Sequence, residues 1–215
     1  MITLLDSWRP RLLAIATSHL GDDGAHDINH LHRVWRSATI LLKTHPEADA
    51  LTVLAACYLH DLVNLPKNDP QRHFASRQAA QLAVRLLGEQ GFPPERLAAV
   101  AHAIEAHSFS ANITAQSIEA KIVQDADRLD ALGMVGIARL FYIAGKMGSA
   151  LAHPDDPLAM HRVGNDKLYA LDHIALKLAG LPATMQTAAG RAEADLRLQS
   201  LEQFRDEFVA EWQAA

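Results

Sequence analysis

Apolar residues recur along most of this chain at the three- and four-residue spacing of amphipathic helices. No segment shows the strict apolar–polar alternation, bounded by turns, that is typical of β-strands. The pattern therefore predicts an all-α fold, a helical bundle of about nine helices. We expect these helices to cover about residues 4–20, 28–45, 48–63, 74–90, 94–107, 117–132, 137–147, 166–180 and 184–213.

The third predicted helix differs from the others because it is apolar on almost every side. Residues 48–63 are rich in Leu, Val and Ala, and the run ends near the polar pair His60-Asp61. Such a helix is expected to be buried on most sides. Its C-terminal end then lies inside the molecule, where an imidazole and a carboxylate must be paired, neutralised or bound to a ligand.

The composition is that of a folded globular protein. The 215 residues suffice for a sizeable core, and 49% of them are hydrophobic. We predict a single domain over residues 1–215, with a metal-site core at about 22–135 and a C-terminal helical extension at about 136–215. The net charge of −5 argues against nucleic acid or an anionic membrane as the main partner.

The cysteine count and the lack of a long apolar run indicate the cellular compartment of the protein. Cys57 is the single cysteine, so neither a disulfide framework nor a thiolate metal site is expected. Residues 1–20 carry charges instead of the apolar core of a signal peptide, and no run approaches 18 apolar residues. We expect a cytoplasmic protein that is a monomer or a homodimer.

Two other segments place polar side chains beside apolar ones. His30 lies at the edge of the buried stripe of the second helix and shares a face with Arg33. Two apolar stripes can be drawn through the acidic segment at residues 125–130. One stripe includes Asp125 and the other includes Asp127, so spacing alone leaves open which carboxylate points inward.

Each of these signals also has a simpler interpretation. His30 alone fits a hydrogen-bonded histidine at a helix boundary, His60-Asp61 fits a helix cap, and an acidic run is usually a solvated face. Two imidazoles and two carboxylates together form a mixed nitrogen and oxygen donor set. That set suits one divalent ion (Mn, Mg, Fe, Co or Ni) with open water positions better than a closed structural zinc.

The order of these residues resembles that of the HD superfamily of metal-dependent phosphohydrolases. His-Asp-Ile-Asn-His-Leu-His-Arg-Val at residues 26–34 resembles the start of an HD domain, and Asp-Arg-Leu-Asp-Ala-Leu at 127–132 resembles its closing motif. The match is closest to the small bacterial HD hydrolases of the YedJ/YpgQ kind. It covers most of the chain, including residues 104–110 and 173–190.

The resemblance implies a helical bundle that hydrolyses phosphate esters or nucleotide anhydrides. It favours Asp127 over Asp125 as the ligand and makes Asp130 a partner of the metal site. The implied ligands of the divalent metal ion are His30, His60, Asp61 and Asp127.

The resemblance also bears on the number of metal ions. The chain lacks the adjacent second histidine and the glutamate of the His-His-Glu motif that two-metal HD enzymes carry. One metal ion is therefore favoured, while His102 and His107 leave open the alternative of a second ion.

Charge suggests the remaining roles, because a polyphosphate substrate needs cations to neutralise its developing negative charge. Any of the basic residues near the site could also be an ordinary solvated side chain. The candidates for phosphate binding are Arg33, Lys67 and Arg72. The candidates for catalysis are Asp61, His26 and His107.

The sequence thus predicts a metal-dependent phosphohydrolase, of the phosphatase or nucleotide pyrophosphatase type, that acts on a nucleotide or another small phosphorylated metabolite. Two other classes stay open. A di-iron oxygenase would contain two irons per chain, and a non-catalytic regulatory module would bind nucleotide without turnover. No motif decides between a nucleotide and a sugar phosphate.

Overall fold

The computed structural model describes residues 3–19, 24, 27–65 and 69–214, and within these residues the protein is all-α. It contains no strand there, only an isolated bridge between Ala150 and Tyr169. None of the helices in the described part combines the length and the apolar character that crossing a bilayer requires. The all-α prediction is confirmed. The helices are α1 (Leu4–His19), α2 (Ile28–Leu42), α3 (Ala50–Leu59), α4 (Ala75–Glu89), α5 (Leu97–His107), α6 (Ile118–Leu129), α7 (Gly133–Met147) and α8 (Ala188–Gln213).

The chain forms two compact units, residues 1–127 and residues 128–215. The first unit holds α1 to α5 and most of α6, and the second holds α7 and α8. The single domain predicted from the sequence, with its core at about 22–135, stays a prediction.

Helix α3 is the centre of the first unit. Every residue from Leu51 to Leu59 is buried, and the helix packs against α1, α2 and α5. A helix that is apolar on all sides removes most surface from water when other helices surround it. This packing fixes where α3 ends and therefore where the two residues after it, His60 and Asp61, are placed.

The N-terminal end of α3 is held by the carboxylate of Asp49. Its Oδ1 accepts hydrogen bonds from the backbone N–H groups of Leu51 and Thr52, each at 2.9 Å. Its Oδ2 accepts a hydrogen bond from Arg96 Nε at 2.6 Å, and its own N–H donates to Glu119 Oε1 at 3.0 Å. Asp49 therefore ties the start of α3 to the segment before α5 and to the first turn of α6.

The predicted helix at residues 166–180 is wrong over its first half. Residues 166–171 form turns and the bridge at Tyr169, and only residues 172–178 are helical, with Ile174–Leu178 as a single π-helical turn. The reason is that the backbone bonds elsewhere: Ala150 N–H donates to Leu168 O at 2.9 Å, and Ala170 N–H donates to Ala150 O at 2.8 Å. The carboxylate of Asp172 also accepts hydrogen bonds from both terminal nitrogens of Arg162, each at 2.6 Å. This paired contact stabilises the non-helical conformation of the segment before it.

We expect Asp49→Ala to lower the free energy of unfolding by about 2 kcal/mol, because it removes a helix cap and a charged hydrogen bond together. Urea unfolding at neutral pH measures this change. Asp49→Asn keeps a capping oxygen and should lie between Ala and wild type. Glu47→Ala, an exposed neighbour, is the control, and an Asp49→Ala midpoint equal to that of wild type would contradict the role assigned to Asp49.

The same carboxylate predicts a pH dependence. Burial acts to raise the pKa of Asp49, but the Thr52 N–H and Arg96 outweigh it and hold that pKa below the ordinary 3.8. Asp49 therefore contributes stability above pH 3.8, and this contribution is lost as the pH falls through the folded-state pKa. Acid titration of the urea midpoint should consequently show a smaller acid-induced loss in Asp49→Ala than in wild type.

Candidate metal centre

His30 enters the site from the first turn of α2. Asp27 caps this helix, as the sequence predicts, because its Oδ1 accepts a hydrogen bond from His30 N–H at 2.9 Å. The His30 side chain is buried, with Leu31 and Val34 among its buried helix neighbours. The cap therefore fixes the turn from which this imidazole reaches the interior.

His60 and Asp61 enter from the end of α3. The backbone N–H of His60 donates to Ala56 O at 2.9 Å, which makes His60 the C-cap of the helix. Its Nδ1 lies 3.0 Å from Cys57 O. Since a carbonyl oxygen can only accept, Nδ1 carries the hydrogen, and in the neutral ring Nε2 presents a lone pair to the site.

Four side chains from three helical segments converge at this point. His30 Nε2 and His60 Nε2 lie 3.2 Å apart. Asp61 Oδ2 lies 3.6 Å from His30 Nε2 and 3.4 Å from His60 Nε2. Asp127 Oδ1, from α6, lies 3.5 Å and 3.7 Å from the same two nitrogens. The carboxylate that faces His60 is thus that of Asp127, and the whole cluster belongs to the first unit.

These distances fit a shared cation. Ligand atoms about 2.1 Å from one ion, at tetrahedral or octahedral angles, lie about 3.0–3.4 Å apart, close to the spacing seen here. The donor set of two imidazoles and two carboxylates accepts first-row divalent metals. His30, His60 and Asp61 form one group that could hold a metal ion, and His60, His107 and Asp127 form another.

The electrostatics of the cluster also favour a positive charge. Burial acts to lower the pKa of His60, but the carboxylates of Asp61 and Asp127 raise it to about 9. Burial acts in the opposite sense on Asp61, yet the imidazoles of His60, His30 and His107 hold its pKa well below the usual range. The shift of His60 reflects the negative charge of the two carboxylates, and the shift of Asp61 reflects the positive charge that the imidazoles can carry. The two carboxylates therefore stabilise a positive charge beside them.

His107 adds a third imidazole at the edge of the cluster. It is the last residue of α5, and its Nδ1 donates to Ile104 O at 2.6 Å, because the carbonyl can only accept. Its Nε2 lies 3.9 Å from Asp61 Oδ1, and its ring centroid lies 4.7 Å from that of His60. His102 is placed differently, since its Nε2 accepts a hydrogen bond from Gln116 N–H at 3.0 Å.

The structure describes two of the three basic residues predicted for phosphate binding, Arg33 and Arg72. Arg33 is half-buried on α2. Burial acts to raise the pKa of Asp27, but hydrogen bonds from the Asn29 side chain and the His30 N–H, followed by the charge of Arg33, lower it. Arg72 is half-buried and donates from Nη1 to Leu65 O, which ties it to the loop after Asp61. His26 and Lys67 lie outside the described residues.

The three carboxylates of the acidic segment at residues 125–130 lie in different surroundings. Asp127 faces the two imidazoles and keeps 26% of its side chain exposed. Asp125 is fully buried. Asp130 is buried in the second unit and accepts a hydrogen bond from Arg139 Nη1 at 2.6 Å.

Two residues near cluster residues in the sequence were not singled out by sequence reasoning. Gln124, directly before Asp125, is buried and donates from Nε2 to Ala106 O at 2.6 Å. Phe109, two residues after His107, has 76% of its surface exposed. The sequence did contain a signal for each of them. Gln124 is an uncharged polar residue next to the acidic motif, and Phe109 is an aromatic residue shortly after a histidine.

Comparison with known proteins shows which family the chain resembles. The family model of the HD domain matches residues 27–132, a range that contains all five residues of the cluster. The chain is 33% identical over 187 residues to the uncharacterized protein YpgQ of Bacillus subtilis, covering 85% of this chain and 82% of YpgQ.

Solved structures show the same likeness over nearly the whole chain. An HD-superfamily hydrolase from Bacillus thuringiensis is 30% identical, with a TM-score of 0.74 over 98% of this chain and 100% of that one. The crystal structure of YpgQ from Bacillus subtilis in complex with ADP is 28% identical, with a TM-score of 0.69 over 98% and 95% of the two chains.

Fold and site together define a class of all-α proteins in which a buried His-Asp pair meets a histidine and an aspartate from two other helices. This chain belongs to the HD-domain family. The resemblance seen in the sequence is thereby confirmed.

We expect Mn²⁺ to stabilise the protein, because a ligand at 100 times its Kd adds about 2.7 kcal/mol to the free energy of unfolding. Thermal unfolding with EDTA or with excess Mn²⁺ measures the effect. Asp127→Ala should lose most of it, whereas Asp155→Ala, which removes an exposed carboxylate of the second unit, should keep it. An equal Mn²⁺ shift in both variants would point to nonspecific binding.

Proposed function

We propose that this protein is a metal-dependent phosphohydrolase that acts on nucleotides. The observation that carries the proposal is the convergence of two carboxylates on two imidazoles: His30 Nε2 and His60 Nε2 lie 3.2 Å apart, and Asp61 Oδ2 and Asp127 Oδ1 each lie 3.4–3.7 Å from both nitrogens. Both carboxylates keep partial exposure, 16% for Asp61 and 26% for Asp127. The site can therefore admit a substrate, unlike a closed structural metal site.

The proposed ligands of one divalent ion are His30, His60, Asp61 and Asp127. When bound there, such an ion lowers the pKa of a water molecule and polarises a phosphoryl oxygen. The hydrogen bond from His60 Nδ1 to Cys57 O orients that ring, so that Nε2 points at the other ligands.

Asp61 and His107 carry the proposed proton chemistry. Asp61 presents Oδ2 to the two buried imidazoles and Oδ1 to His107 Nε2. Since His107 Nδ1–H is committed to Ile104 O, its neutral ring accepts a proton or a hydrogen bond at Nε2, and its protonated ring donates one. His107 is therefore the proposed proton acceptor and donor at the edge of the cluster, with His26 as a further candidate.

A nucleotide is the proposed substrate for two reasons. The similar protein YpgQ has been crystallised with ADP. In this chain, Phe109 exposes an aromatic ring two residues from His107, where it can stack on a base while Arg33, Lys67 and Arg72 contact phosphates. A base offers such a ring a flat aromatic partner, which favours a nucleotide over a sugar phosphate.

Phosphate or pyrophosphate release from a panel of nucleotides and phosphoesters, with Mn²⁺, Mg²⁺, Co²⁺ or Ni²⁺, tests the function. We expect Asp61→Ala to lower kcat about 100-fold or more with the fold retained, because it removes a ligand and a proton-transfer group. Asp155→Ala is the control. Full activity after removal of metal with a chelator would refute the proposed mechanism.

We expect Phe109→Ala to raise KM for nucleoside phosphates about 5- to 100-fold, the loss typical of one stacked base. Inorganic tripolyphosphate has no base, so its turnover should not change. Phe74→Ala, which removes another exposed aromatic ring, is the matched control. An equal rise in KM for tripolyphosphate would show that Phe109 shapes the site without recognising a base.

A further inference from the structure

Gln124 is a buried amide between the two helices that carry His107 and Asp127. It lies on α6, one turn before Asp127, and is 4% exposed. Its Nε2 donates to Ala106 O at 2.6 Å. The orientation of the amide follows from chemistry, because turning it over would set two oxygen atoms against each other.

The acceptor of this bond, the carbonyl oxygen of Ala106, has no hydrogen-bond partner within its own helix. Ala106 is the penultimate residue of α5, so its oxygen lies beyond the N–H groups that the helix itself supplies. The next residue is His107, whose ring contacts the cluster. Gln124 therefore fastens the last turn of α5, together with His107, to the helix that presents Asp127.

Stability alone does not account for a glutamine here. Its Oε1 is buried and has no hydrogen-bond partner among the described residues, a situation that costs about 1–3 kcal/mol. The neighbouring residues Ile122, Val123 and Ala126 are buried and apolar. A methionine, of similar length, would remove this unpaired acceptor but would leave the Ala106 oxygen without its donor, so the glutamine gains little stability over it.

We propose that Gln124 is a positioning residue for the phosphohydrolase reaction: it holds His107 at the distance from Asp61 and Asp127 that catalysis needs. The proposal rests on the proposed function. Gln124 acts through the end of α5 and not through contact with the substrate.

The first test is Gln124→Met. We expect kcat for the nucleotide substrate to fall about 10- to 100-fold, the effect usual for a residue that orients a group of a metal site. KM and Tm should stay close to those of wild type. Gln81→Met, an exposed glutamine of α4, is the matched control and should keep the wild-type kcat.

The second test is a double-mutant cycle with His107→Asn. If Gln124 acts through His107, adding Gln124→Met to His107→Asn should change kcat less than about twofold. Losses that multiply in the double variant would overturn the proposal, because they would assign Gln124 to a separate part of the protein.

A third measurement does not depend on activity. Amide hydrogen exchange should be faster at residues 105–109 in Gln124→Met than in wild type or Gln81→Met, and unchanged in α3. Unchanged exchange at the end of α5 would overturn the proposal, even where His107→Asn leaves too little activity for the cycle. A wild-type protein that hydrolyses no nucleotide refutes the proposed function, whereas an active wild type with an equally active Gln124→Met refutes this proposal.

Discussion

The burial of α3 is the constraint on which the first unit depends. Because the helix is apolar on every side, α1, α2 and α5 pack around it, and its C-terminal end lies in the interior. The chain continues from that end with His60 and Asp61. Two ionisable side chains are thereby placed where isolated charge is strongly disfavoured. The fold meets this demand by bringing His30 from α2 and Asp127 from α6 to the same point.

The first unit uses carboxylates in two contrasting ways. Asp49 is surrounded by donors, two backbone N–H groups and Arg96, so its charge is satisfied within the protein and serves stability. Asp61 and Asp127 face imidazoles across 3.4–3.7 Å and remain open on one side. Their charge is best neutralised by a cation from outside the chain. The difference between Asp49 and the two carboxylates of the candidate site lies in the donors around each and in their access to solvent.

The second unit shows how long-range contacts decide between helix and loop. Residues 166–171 have the apolar spacing of a helix, but the bridge to Ala150 takes their backbone groups and Asp172 binds Arg162. Neither partner is adjacent in sequence, so helical periodicity could not reveal them. The two predicted helices on either side of this loop region, α7 and α8, depend on their own apolar faces and were found.

The sequence by itself determined the helical class, the buried character of α3 and the identity of the His-Asp pair at its end. These are local properties, because the period of apolar positions and a cap such as Asp27 act within a few residues. Residue spacing left open whether Asp125 or Asp127 points inward, and only the tertiary structure placed Asp127 Oδ1 against His30 and His60. It also decided that Gln124 fastens the end of α5. Both outcomes depend on how α6 is rotated about its axis, because that rotation decides which of its side chains meet His30, His60 and Ala106. That rotation is set by packing between residues far apart in the chain, and two apolar stripes in one helix leave it undetermined until the neighbouring helices are in place.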